Sequence, residues 1–448
     1  MTFTDNIVFR SEQQQAIYLT VNSLKRNRKM LWNAKMRFGK TLCALEVARQ
    51  CGYRRTLILT HRPNVRGEWF ESLLKLKLDG WFFGCKDPNA VSFDAETFEA
   101  IEAKTKQDKN AHYIYFASMQ DLRGSKRVNQ QKGIEKNDHI FSTHWDFLIV
   151  DEAHEGIMSR LGRDVIGELQ KRRTLRTLYL SGTPYNIQQL FDNTEVYHWD
   201  YCMEQSAKVA WNEQHTGEPN PYEGLARMNI LTYNLARDMR SYRISETGGF
   251  NFAELFRTEA IPSDNATPNV QTQFVHEADV RKFVKLIGKS STNKLYPYAN
   301  KQLAGSLDNT LWYVPGVQAA HCLARILSEQ TPDNPFGEYT IVDVAGEGNF
   351  AEERSDIYEQ TKHEHDALER VKTAIANSKK TITLSCGRLT MGVSVPEWTA
   401  VLMLAGAAET GGMRYFQTIF RCQSPYTDGR VKSECYAIDF SPCRTLTV

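Results

Sequence analysis

Leu31-Trp32-Asn33-Ala34-Lys35-Met36-Arg37-Phe38-Gly39-Lys40-Thr41 is the stretch that decides the reading of this chain. Its apolar start reads as a strand, and its end is a loop closing on Gly-Lys-Thr. Leu42, Cys43, Ala44, Leu45, Val47 and Ala48 then open a helix. A strand, a tight loop and a helix N-terminus make a phosphate cradle, because free backbone N–H groups and the helix dipole both favour an anion there. In that pattern Lys40 reaches the terminal phosphates and the Thr41 hydroxyl ligates Mg²⁺. The full signature G-x-x-x-x-G-K-[ST] asks for glycine where this chain has Ala34, a substitution that negative φ tolerates.

The rest of the chain bounds what such a loop can belong to. Its 448 residues suffice for two or three domains. At 41% hydrophobic and 24% charged, the composition is that of a globular protein. The net charge of +2 sets no global demand for a polyanion, so any basic track must be local. No apolar run approaches the roughly 18 residues of a membrane span, and the N-terminus lacks the charge and apolar core of a signal peptide. Nine cysteines without a C-x-x-C pair favour reduced thiols in a cytoplasmic setting over a disulfide or zinc framework.

Upstream of the loop, Ser11 is placed to cap a helix whose Ile17, Val21 and Leu24 share a face. Lys25-Arg26-Asn27-Arg28-Lys29 reads as a solvated turn. Downstream, Thr56–Thr60, Tyr113–Ala117, Asp146–Val150 and Leu178–Leu180 are apolar runs of the kind buried in a parallel sheet. Asp151-Glu152-Ala153-His154 follows the third of these, which puts two carboxylates at a strand's C-terminal edge, where open parallel sheets bind ligands. Asp151 is suited to hold Mg²⁺, and Glu152 to polarise an attacking water. Asp94, Glu102 and Lys104 superficially fit a nuclease triad, but such residues are common on exposed helices. Lys171-Arg172-Arg173 reads as a solvated connector.

Strand–helix alternation lapses over residues 185–300, where aromatic residues such as Tyr197, Trp211, Tyr222 and Tyr242 are mixed with amides. These aromatics read as local core rather than a base-stacking platform. Short helices are expected near Cys202–Asn212 and Ala278–Ile287. Alternation resumes near residue 310 and runs through strands at Thr310–Pro315, Tyr339–Ala345, Thr381–Ser385, Ala400–Leu404 and Glu434–Phe440. His363 and His365 point apart on a helix and make no metal site. The expected fold is therefore α/β, with two parallel sheets flanked by helices. The expected boundaries are residues 1–195 for the first domain, 196–305 for a connector or insertion, and 306–448 for the second domain.

Taken in order, these segments resemble the motifs of superfamily 2 helicases and translocases of the DEAD/DEAH type. Their tandem domains are RecA-like P-loop folds. Arg10 and Gln13 resemble the adenine-reading motif, Ala34–Thr41 motif I, and Thr56–Val65 motif Ia. Ala117–Gly124 resembles motif Ib, Asp151–His154 motif II and Ser181–Pro184 motif III. Leu311–Pro315, Gly387–Val393 and Gln417–Arg421 resemble motifs IV, V and VI. The wording Met-Arg-Phe-Gly-Lys-Thr, with Gln-x-x-x-Arg-x-Gln-Ser-Pro, is most similar to the helicase subunits of type III and related restriction systems.

This resemblance implies an ATP- and Mg²⁺-dependent enzyme that moves on DNA, with hydrolysis in a cleft between the domains. Lys40, Asp151, Glu152, Gln417 and Arg421 are the implied catalytic residues. Arg10, Gln13, Ala34, Arg37, Gly39, Lys40 and Thr41 are the implied nucleotide contacts, and Thr41 and Asp151 the Mg²⁺ ligands. A nucleic-acid strand is implied near Thr60, His61, Arg62, Ser118, Gln120 and Thr390. His154, Ser181, Thr183 and Gly392 are implied to couple hydrolysis to movement. The superfamily often carries a second motif VI arginine where this chain has Ser424, so Arg421 acts alone or Arg414 or Arg430 contributes. The chain starts almost at Arg10 and stops soon after Phe440, so a cutting or modifying activity is expected on another chain, a methyltransferase or nuclease subunit, or on a missing part. RNA is the alternative substrate. The remaining alternative is a non-catalytic scaffold that binds nucleic acid.

Overall fold

The computed structural model describes residues 7–61, 65–86, 88, 94–122, 125, 137–183, 186–244, 249–261, 272–346, 357–390, 393–406 and 410–441. The chain divides into two compact units, Met1–His215 and Thr216–Val448. Both contain a wholly parallel sheet, as expected for tandem RecA-like domains.

In the first unit the strands are β1 (Lys29–Ala34), β2 (Arg55–Thr60), β3 (Trp81–Cys85), β4 (His112–Ser118), β5 (Phe147–Asp151), β6 (Arg176–Ser181) and β7 (Val196–Trp199). Their order across the sheet is β3-β4-β2-β5-β6-β1-β7. The central strands are buried on both faces, which is why they read as unbroken apolar runs rather than as alternating ones. β3 was not legible: Gly84 interrupts an aromatic run, and its strand lies on the sheet edge. Gly84 is needed there, because a Cβ would come within 2.3 Å of Ile101 Cδ1. Two residues of the superficial nuclease triad serve the fold, and the third, Asp94, is exposed. Glu102 accepts a hydrogen bond from Tyr113 Oη at 2.6 Å, and Lys104 pairs with Glu96 over the ring of Phe82.

The expected connector, 196–305, is instead divided between the units. Val196–Trp199 is β7, paired in parallel with β1, and the helix Tyr201–Gln214 closes the first unit. Arg227–Thr232 is β8, the edge strand of the second sheet. Between them, β9 (Thr258–Ala260) and β10 (Thr272–Phe274) form a small antiparallel pair. The second sheet continues with β11 (Asn309–Tyr313), β12 (Thr340–Asp343), β13 (Thr381–Ser385), β14 (Ala400–Met403) and β15 (Glu434–Asp439), in the order β12-β13-β11-β14-β15-β8. β8 escaped the sequence reading because an edge strand is half solvated and carries arginine and asparagine among its apolar residues.

The aromatics between β8 and β11 are core, covering one face of the second sheet. Phe283, on the helix Glu277–Ile287, lies 6.4 Å from Phe252, 5.8 Å from Phe256 and 6.0 Å from Phe440 between ring centroids. Edge-to-face packing of this kind adds to simple burial. Phe283→Ala is expected to cost about 3–5 kcal/mol. Hydrogen exchange should show lost protection in β11, β14 and β15 but not in β1, β5 and β6. Equal loss in both sheets would contradict the assignment of this layer to the second unit.

Candidate nucleotide site

The phosphate loop hangs between two fixed points. β1 ends at Ala34, whose backbone is extended and whose side chain is fully buried, so glycine is not required there. The helix Lys40–Gln50 begins after Gly39, which sits at φ +91°. A side chain at Gly39 would be strained, and its Cβ would lie 2.7 Å from Gln13 Nε2. Gln13 is there because its amide donates to Phe38 O at 2.7 Å, while Arg10 Nη2 donates to the same carbonyl at 3.0 Å. The Arg10–Gln13 segment thus holds the loop from behind. Arg37, also left-handed at φ +69°, forms the bend.

Lys40 Nζ donates to Ala34 O at 2.7 Å and to Lys35 O at 3.2 Å, which parks the ammonium inside the loop's own curve. The strand register places the remaining groups. Asp151 on β5 is the Cα partner of Thr60, which is in turn the partner of Ser118 on β4. Asn33 on β1 faces Ser181 on β6. Asp151 accepts from Trp69 Nε1 at 3.2 Å and from the Glu152 backbone at 3.0 Å. Burial and the neighbouring Glu152 raise its pKa to about 7, against the pull of the Lys40 ammonium. Glu152 adopts a left-handed backbone at φ +47°, and its Oε2 is buried without a hydrogen-bond partner among the described residues. Two crowded carboxylates with an unused oxygen fit a divalent cation, whose charge would reverse the upward shift.

His154 lies beneath them, 2% exposed, with Nδ1 2.9 Å from Ser181 Oγ and 3.5 Å from Glu152 Oε2. Ser181 Oγ accepts from the Thr183 backbone at 3.1 Å. The segments Asp151–His154 and Ser181–Thr183 are thereby joined through one imidazole.

Sequence reasoning missed Lys35. Its side chain, 5% exposed, pairs at 2.7 Å with Glu204, 1% exposed, on the helix Tyr201–Gln214. Desolvation outweighs the carboxylate's attraction and lowers the Lys35 pKa to about 8. Only a structure could pair residues 169 positions apart.

Thr60, Ser118 and Thr390 are buried rather than presented on a surface. Ser118 Oγ donates to Asp121 Oδ2 at 2.7 Å, and Thr390 Oγ1 to Gly387 O at 2.6 Å, so both hydroxyls shape their own loops. His61 is partly exposed at the end of β2. Arg62, Gly392 and the side chain of Gln120 lie outside the described residues.

In the second unit, Gln417 is on the helix Gly412–Ile419 and Arg421 is in the tight turn after it. The Arg421 guanidinium donates to Thr390 O at 2.8 Å, to Gln417 O at 3.1 Å and to Val393 O, and so ties that helix to the loop after β13. Ser424 Oγ donates to Arg421 O at 2.9 Å, and the residue is fully buried, so the group at the second motif VI position is committed to the turn itself. Arg430 pairs with Asp428 over the ring of Tyr426, whereas Arg414 is exposed one turn before Gln417.

Residues 6–186 match the family described as type III restriction enzyme, res subunit. A curated protein of Mycoplasma pneumoniae (strain ATCC 29342 / M129 / Subtype 1), the "Putative type II restriction enzyme and methyltransferase RM.MpnORF110P C-terminus", is 25% identical over 475 residues. The match covers 94% of this chain but 62% of the relative, so the chain spans about three-fifths of that protein's length. Among solved structures, the ATP-dependent Type ISP restriction-modification enzyme LlaBIII bound to DNA superposes with a TM-score of 0.55 at 12% identity. The superposition covers 97% of this chain and 27% of that one, and it bears on the fold alone.

The buried pair gives two expectations. Lys35→Met or Glu204→Leu alone strands a buried charge and should cost about 3–5 kcal/mol, while the double variant should recover most of it. A double variant no more stable than either single one would contradict this. Because the folded pKa of Lys35 (about 8) lies below its ordinary 10.5, the unfolded chain holds the proton more tightly between those values. Wild-type stability should therefore rise relative to the double variant as pH climbs from about 8 to 10.5, as read by denaturant midpoints.

Proposed function

Because residues 6–186 match the family described as type III restriction enzyme, res subunit, we propose that this chain is a DNA-dependent ATPase. In this reading it uses ATP hydrolysis to translocate on, or unwind, DNA within a restriction system. The observation that carries the reading is the convergence on one helix N-terminus of the Lys40 ammonium and the Asp151–Glu152 carboxylates, with Lys40 close enough to pull the Asp151 pKa down. A cation and a crowded acid pair at a Gly-Lys-Thr loop suit a nucleoside triphosphate with its metal.

Lys40 exchanges its two carbonyl partners for the terminal phosphates. Thr41 and Asp151 would hold Mg²⁺, which supplies positive charge to the phosphate oxygens when bound. Glu152, with its uncommitted oxygen, orients the attacking water and takes up its proton. Arg10 and Gln13 keep the loop in place through Phe38 O, and the adenine edge falls to the same two residues. Gln417 and Arg421 are assigned to transition-state charge, with Arg414, on the helix Gly412–Ile419, as a second cation. His154 senses Glu152 and passes its state to Ser181 and Thr183. The curated relative is named a restriction enzyme and methyltransferase, which favours DNA over RNA and a methyltransferase or nuclease partner; the compartment proposed is the bacterial or phage-infected cytoplasm.

Lys40→Ala and Glu152→Gln should abolish ATP turnover, and Arg421→Lys should lower it by roughly 10³-fold or more. Turnover of the wild type should be stimulated by single-stranded or duplex DNA. Wild-type rates in both Lys40→Ala and Glu152→Gln would sink the site, and stimulation by RNA alone would overturn the choice of DNA.

A further inference from the structure

Two basic turns far apart in sequence meet at the edge of the first sheet opposite the phosphate loop. One is Lys25–Lys29, leading into β1; the other is Lys171–Arg176, leading into β6. Parallel pairing of β1 with β6 forces the two strand starts side by side, with Lys29 opposite Thr177. Hydrogen bonds lock the turns together. Arg28 Nη2 donates to Gln170 O at 3.0 Å and Arg172 O at 3.1 Å, and Arg176 Nε donates to Leu24 O at 2.8 Å. Between them lies a cleft of about 630 Å³ whose charged lining is Arg26, Arg28, Lys29, Lys171 and Glu195.

The charge of this edge is largely uncancelled. Four cations come from each turn, and the carboxylates paired with them are Glu195, 3.6 Å from Lys29, and Glu168, beside Lys171. Among the described residues, Arg26, Arg28, Arg172 and Arg173 make no ion pair. The acceptors that fix Arg28 and Arg176 are backbone carbonyls, which orient a guanidinium without neutralising it. A chain of net charge +2 thus concentrates several positive charges at one cleft, some already held in place. Fixed guanidinium groups lose little entropy on meeting an anion, and their planar forks match phosphate oxygens. The cleft stands roughly 17 Å from the phosphate loop along the six residues of β1, too far to serve the same triphosphate.

We propose that this edge is a second nucleic-acid contact, gripping the phosphodiester backbone without reading its sequence. The proposal rests on the DNA-dependent reading above, and it adds a surface on the strand N-terminal side of the first unit. Such a contact would hold the first unit on its track while the nucleotide edge is remade, and its grip would weaken steeply with salt.

The test uses the full chain and a fluorescein-labelled DNA duplex, titrated across a range of salt. The variants are Arg26→Glu/Lys171→Glu/Arg173→Glu and the milder Arg26→Gln/Arg173→Gln, which removes charge at exposed positions without reversing it. Affinity at about 0.1 M salt should fall at least tenfold in the triple variant. The slope of log affinity against log salt should become shallower by about 2–3. The milder variant should show the same changes in smaller measure, and ATP turnover without DNA should match the wild type. Unchanged affinity and slope in both variants would overturn the proposal. So would a wild type that binds polyglutamate more tightly than DNA and loses that binding in the triple variant, since the surface would then belong to an acidic protein. A wild type that fails to hydrolyse ATP, yet loses DNA affinity in the variants, would refute the ATPase reading while leaving this surface standing.

Discussion

Parallel strand pairing is the constraint from which the rest of this molecule follows. When every strand of a sheet runs the same way, all the strand ends gather at one edge and all the starts at the other. In the first unit the ends deliver Ala34, Thr60, Ser118, Asp151 and Ser181 to neighbouring registers. No loop has to reach to bring these side chains together, because the hydrogen-bond ladder has already assembled them. The same ladder collects the strand starts and the basic turns that precede them. The two edges therefore differ in character: one sets the Asp151–Glu152 carboxylates beside Lys40, and the other is rich in arginine.

The phosphate loop is held by polar contacts rather than by apolar packing alone. Gln13 and Arg10 share the Phe38 carbonyl, Lys40 holds the carbonyls of Ala34 and Lys35, and Glu204 holds the Lys35 side chain. Carbonyl anchors of this type are directional, and they can be exchanged one at a time when a ligand competes for the donor. A loop fixed by greasy contacts would be sturdier but could not give up Lys40 to a phosphate.

Most of the fold was legible in the sequence, for a physical reason. Central strands buried on both faces announce themselves as apolar runs, and β1, β2, β4, β5 and β6 lie where those runs are. The edge strands β3, β7 and β8 were not legible: Gly84 interrupts β3, β7 is four residues long, and β8 is half solvated and carries arginine and asparagine. The same logic separates the site residues. Asp151 and Glu152 stand at the end of a readable strand and Lys40 opens the helix after another, so their neighbourhood could be inferred from order along the chain. Lys35 and Glu204 could not be joined that way, since nothing local in either segment specifies the other. Buried Thr60 and Thr390 show the limit of carrying roles over from a motif. Their positions in the loops match the resemblance, yet Thr390 spends its hydroxyl on the loop that carries it.

The helix Tyr201–Gln214 has one further consequence. Of its fourteen residues, the only one fully withdrawn from solvent is the carboxylate-bearing Glu204. An anchor made by a buried charge behaves unlike one made by a hydrophobic stripe. Warming lowers the cost of keeping ions out of water, while the apolar contribution per unit area levels off. The attachment of this helix to the phosphate loop should therefore hold its strength as temperature rises better than the surrounding core does.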